Sequence, residues 1–150
     1  MAELEDGQLL YAADTLNAGE VEEARAAVPK LSDGDVREFA QQMIDEHGAA
    51  RDRLLQLAQD LTIYPADSDL AGELRAKSQG NVDSLLGSVA PSSNALYIQL
   101  QVSEHVDALA LIDQLASAAD AEPLRQELLA QRASVQAHLE RARALNDATP

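Results

Sequence analysis

A chain of 150 residues with 26 Asp and Glu against 11 Lys and Arg, a formal charge of -15, has room for one core and no phosphate-tracking surface, which argues against nucleic acid as a partner. Its 46% hydrophobic content is mostly Ala and Leu, with 3% aromatics and no Trp, a composition that favours helices over sheets. Cysteine is absent, which removes disulfides, thiolate metal sites and thiol nucleophiles.

The opening MAELEDGQLLYAAD has neither a basic flank nor an apolar run of signal length, and nowhere do about 18 apolar residues run together. No transmembrane segment is expected, and cytoplasm and export both stay open. Leu9, Ala13, Leu16, Ala24 and Ala27 share one stripe, so the three-and-four spacing predicts a first helix over 5–28 that Pro29 ends. Ser32 or Asp33 can cap a second helix over 33–61. The link between them is only a few residues long, so these two helices should pack antiparallel. From 62 to 93 the pattern weakens: Pro65 breaks it, SDLAGELRAKSQGNVDSLL suggests a short helix, and GSVAPSS reads as a loop. This segment reads as a crossover. A third long helix is expected over 94–118 and a fourth over 123–145, with Pro123 in a first turn where its missing N–H costs nothing. Four long amphipathic helices with one long connection predict a single all-α domain, a four-helix bundle.

Alternating steps of four and three give the inward seams. The second helix reads Val36, Ala40, Met43, His47, Ala50, Leu54, Leu57 and Leu61, and the third reads Ile98, Val102, His105, Leu109, Ile112 and Ala116. On the fourth the seam is Leu124, Leu128, Gln131, Val135, His138, Ala142 and Leu145; on the first it is Leu9, Ala13, Leu16, Glu20, then Glu23 or Ala24, and Ala27. All three histidines of the chain therefore lie on apolar seams, and Glu20 offers a carboxylate on another. His105 stands 16 residues before Ala121 and His138 stands 17 after it, so at ~1.5 Å per residue the two should be nearly level. His47 and His105 both fall near the middle of their helices, whereas Glu20 is offset from His47 by about 7 Å.

Three imidazoles and a carboxylate at one level suit a divalent Zn, Fe, Cu or Mn ion. A hydrogen-bonded His/Glu network without metal is the rival reading, and partly exposed histidines are a third. Glu46, Glu104 and Asp107 flank the seams, either as carboxylates that orient an imidazole or as ordinary solvated charges. Met43 reads as core. Tyr11, Tyr64 and Tyr97 have no spacing that suggests a radical or stacking site. Ser103 is two residues before His105, off its helical face; Ser134 is four before His138, without an evident oxyanion hole. The sequence contains no HExxH, no Gly-rich phosphate loop and no GxSxG.

The stretches VREFAQQMIDEHGAARDRLLQLAQDL, with AGEVEEA upstream, YIQLQVSEHVDALALID and VQAHLERARAL resemble the family catalogued as domain of unknown function 4142, often labelled outer-membrane proteins. The resemblance runs from about Asp6 to Leu145. It implies a ferritin-like bundle, commonly exported to the periplasm or held at the bacterial envelope, with no settled activity. Glu20, His47, His105 and His138 fall where the family usually has Glu, His, His and His. Ferritin-like di-iron enzymes use Glu-x-x-His on two helices, but the residues three before His47, His105 and His138 are Ile44, Val102 and Val135. The expectation is therefore a non-enzymatic envelope module with a single-metal site at His47, His105, His138 and Glu20. A metal-free structural or interaction module is the alternative, and an iron or manganese oxidase comes third. The protein partners open to it are a second copy of the chain or another envelope protein.

Overall fold

The computed structural model describes residues 3–149; Met1 and Ala2, at the head of the segment searched for a signal, and Pro150 lie outside it. Five helices build it: α1 Asp6–Ala27, α2 Gly34–Leu61, α3 Asp69–Gly87, α4 Ser92–Ala118 and α5 Glu122–Ala148. A 3-10 turn, Val28–Lys30, carries Pro29 beyond the end of α1. No strand occurs among the described residues, and no helix is long and apolar enough to cross a membrane. The Asp33 carboxylate caps α2 by accepting from the N–H groups of Asp35 and Val36. Pro123 stands in the first turn of α5.

The all-α expectation holds, and so does the short helix expected in the crossover. That helix is α3, 19 residues capped by the Ser68 hydroxyl. The sequence pattern there is faint because α3 buries only Ala71, Ser78 and Leu85, one residue every seven. A helix that presents so narrow a seam leaves most of its surface in water and shows little amphipathic contrast.

Hydrogen bonds between the turns fix the directions. Asp6, at the start of α1, accepts from the N–H groups of Asp120 and Ala121 in the α4–α5 turn, at 2.9 and 2.8 Å. The Ala66 N–H, just before α3, donates to Gly7 O at 3.0 Å. At the opposite end, Asn94 Oδ1 accepts from Ser32 and Asp33 N–H. Lys30 donates to the carbonyls of Leu86 and Ser88 where α3 finishes. Helices α1, α3 and α5 therefore run one way, α2 and α4 the other. Gly7 makes the first junction possible: a Cβ there would lie 2.2 Å from Tyr64 O, a distance no side chain tolerates.

Helix α1 is buried on more than its predicted stripe, since α2, α3, α4 and α5 all pack against it. Leu10, Ala12, Thr15, Asn17, Gly19 and Val21 are buried as well as the seam residues Leu9, Ala13, Glu20 and Ala27. Two apolar clusters divide the bundle. One gathers Leu9, Leu10, Leu54, Ile112, Leu124 and Leu128 near the start of α1; the other gathers Val36, Phe39, Met43, Leu85, Tyr97 and Ile98 near its end. Between them lies a buried polar layer containing Asn17, Glu20, Glu23, His47, Gln101, His105, Gln131 and His138. Burying such groups costs free energy unless each finds a partner, so what they bond to decides what the layer can do.

Candidate metal centre

His47 on α2, His105 on α4 and His138 on α5 converge at the middle of this layer. Their ring centroids are 5.2 to 5.7 Å apart, and one ring nitrogen from each lies within 4.8 Å of the other two. All three are buried, His105 completely. Each imidazole has one bonded nitrogen and one without any partner: His47 Nε2, His105 Nε2 and His138 Nδ1 are unpaired.

The partners of the bonded nitrogens determine which atoms carry protons. Asn17 Nδ2 donates to Ala13 O at 2.8 Å and to Gln131 Oε1 at 3.0 Å, so Asn17 Oδ1 can only accept. It faces His47 Nδ1 at 2.7 Å, which must therefore be N–H, leaving the lone pair on Nε2. Gln131 is oriented in turn, its Nε2 donating to Glu127, which also receives Arg53 from α2. For His105 the argument is shorter: Nδ1 faces the backbone carbonyl of Gln101 at 2.9 Å, an acceptor only, so the lone pair is on Nε2. His138 Nε2 bonds the Glu46 carboxylate, which puts its lone pair on Nδ1. Three lone pairs on three unpaired nitrogens are thus enclosed together with no hydrogen to receive.

Burial keeps the rings neutral. It depresses His105 to about 4, although the Gln101 carbonyl opposes the shift. His47 is held well below the usual imidazole value by burial and then by the two neighbouring histidines. Burial also lowers His138, against the pull of Glu46. Although burial works against ionisation of Glu46, its bonds from His138 and Gln42 bring it below the usual carboxylate range. Neutral imidazoles with directed lone pairs are the form in which histidine ligates a metal.

Of the carboxylates singled out from the sequence, Glu46 alone hydrogen-bonds a histidine of the cluster. Glu104 and Asp107 instead pair with Lys77 of α3, at 3.1 and 2.6 Å. Glu20 Oε1 approaches His105 at 3.8 Å, but on the Nδ1 edge, so the imidazole ring stands between Glu20 and the unpaired Nε2. The residue of α1 that hydrogen-bonds the cluster is Asn17, three residues earlier, which takes up about 4.5 Å of the offset of about 7 Å between Glu20 and His47. A cleft of about 250 Å³ between α2 and α5 reaches His47 and His138, with half-exposed Glu46 and Arg53 in its walls.

Over residues 1–145 the sequence matches the family described as Domain of unknown function (DUF4142). The chain belongs to that family. No curated protein and no solved structure matches it. The histidine cluster, Asn17 and Gln131 of this DUF4142 chain all lie inside the matched span.

Proposed function

We propose that this DUF4142 chain is a non-enzymatic binding module that holds one divalent transition metal on His47, His105 and His138 within a ferritin-like bundle. The observation that carries this is the set of three unpaired imidazole nitrogens, each assigned its lone pair by a fixed partner. With the nitrogens at most 4.8 Å apart, a central point lies no more than about 2.8 Å from each. Zn–N bonds of 2.0–2.1 Å then ask each ring to move inward by no more than about 0.7 Å. Imidazole donors suit Zn, Cu and Fe. The lack of Glu-x-x-His on α2, α4 and α5 favours a single ion over a carboxylate-bridged pair. The family resemblance supports an exported, envelope-associated setting.

Elemental analysis of untagged protein after incubation with Zn, Cu or Fe salts tests the reading. About one equivalent should remain after desalting, and a triple His→Gln variant should retain none. Less than ~0.1 equivalent in the wild type would leave the polar layer as a metal-free hydrogen-bond network.

A further inference from the structure

On the far side of His105, a second cavity of about 120 Å³ lies between α1, α3 and α4, with Glu20, Glu23, Ser78 and Glu104 set among apolar side chains such as Leu16 and Leu111 in its walls. Glu20 is 3% exposed and Glu23 1%. Glu23 Oε1 accepts from Asn81 at 3.3 Å, but Glu20 Oε2 and Glu23 Oε2 have no partner. The positive charge at hand, Lys77, is engaged with Glu104 and Asp107. From α3 the Ser78 hydroxyl, 7% exposed, also faces this cavity unpartnered. Gly19 makes room for it, since a Cβ there would sit 2.9 Å from Ser78 Oγ. Two carboxyl oxygens on α1 are thus buried beside one potential donor, the Ser78 hydroxyl of α3, at a substantial desolvation cost.

We propose that this cavity is a second cation site, lined by oxygen from Glu20, Glu23, Glu104 and Ser78, which takes a hard divalent ion of the Mg²⁺, Mn²⁺ or Ca²⁺ kind. Carboxylate and hydroxyl donors with space for retained water are what such ions select, in contrast to the nitrogen donors of the histidine cluster. Burial raises Glu20 to about 8 and Glu23 to about 9, and a bound cation would offset that cost. Glu20 approaches His105 on its Nδ1 edge at 3.8 Å, away from the unpaired Nε2, so the two sites use different donor atoms.

Mn²⁺ is the probe, followed by electron paramagnetic resonance of the free ion during titration at pH 7.5. Wild type should bind one equivalent, Glu23→Gln should weaken binding by about tenfold or more, and His138→Gln should leave it within about twofold. Glu23→Gln is nearly isosteric; if it does not fold by circular dichroism, the less buried Glu104→Gln serves in its place. Absence of Mn²⁺ binding, or equal binding in the Gln variant, would show a cavity filled by water and protons alone. Loss of Mn²⁺ in His138→Gln with retention in Glu23→Gln would place the ion on the histidines and overturn the second site.

Discussion

Replacing His105 with Ala should cost little without metal and much more with it. His105 is completely buried, and its Nδ1–H bonds the Gln101 carbonyl, an atom that also accepts the backbone N–H of residue 105 within α4. Deleting the ring therefore strands no backbone group. The loss is packing plus one side-chain hydrogen bond, about 2 kcal/mol. Metal changes the comparison through linkage. At a thousandfold excess over its dissociation constant an ion stabilises wild type by about 4 kcal/mol. With one of three ligands gone and affinity down about a hundredfold, the same ion stabilises the variant by about 1.4 kcal/mol. The gap between the two proteins should open from about 2 to about 5 kcal/mol. Urea unfolding of both, each with chelator and with Zn²⁺ or Cu²⁺, measures it directly. A gap unchanged by metal, whether the ion stabilises both proteins or neither, would refute the histidine centre.

Three further outcomes are expected. Asn17→Ala strands the His47 Nδ1–H and Gln131 Oε1, so metal affinity should fall by about 10- to 100-fold in calorimetric titration while the protein stays helical. In chelator, stability should peak near pH 6.5. The three depressed histidines contribute fully above about 6.5 and progressively less as pH falls toward 4, whereas Glu20 and Glu23, raised to about 8 and 9, contribute below about 4.5 and less as pH rises through those values. A urea midpoint that climbs steadily to pH 9 would contradict this, and Glu23→Gln should flatten the alkaline side. Gly7→Ala should destabilise by about 1–3 kcal/mol in the same assay, because its Cβ meets Tyr64 O. Gly48→Ala, with nothing within 4 Å of the new atom, should stabilise the helix by up to about 1 kcal/mol.

The four long helices and the level of the histidines are readable from the sequence because a 3.6-residue period and a count from the last turn are local quantities. The identity of the polar partners is less so. Working outward from His105, steps of three and four lead to Val102 and to Gln101; the apolar choice looks right, yet Gln101 is the buried one. On α1 the same ambiguity falls between Leu16 and Asn17, and Asn17 is the residue that reaches His47. The available signal was an Asn at seam spacing inside an Ala-rich helix, where its short polar side chain disfavours the helix. Glu23 and Ser78 share a cavity only because α3 lies along α1, a placement that no spacing within either helix encodes.

The chain from Arg53 through Glu127, Gln131 and Asn17 to His47 has a consequence for how charge enters the core. Its two inner links are amides, which hold a direction but cannot pass a hydrogen ion along, so for protons the chain is an insulator. At neutral pH the three histidines already stand in the form that ligates. Uptake of an ion at this centre would therefore expel no protons from the histidines. The ion's double charge would arrive uncompensated by any exchange at the histidines, and the answering charge must come from carboxylates already in place around them.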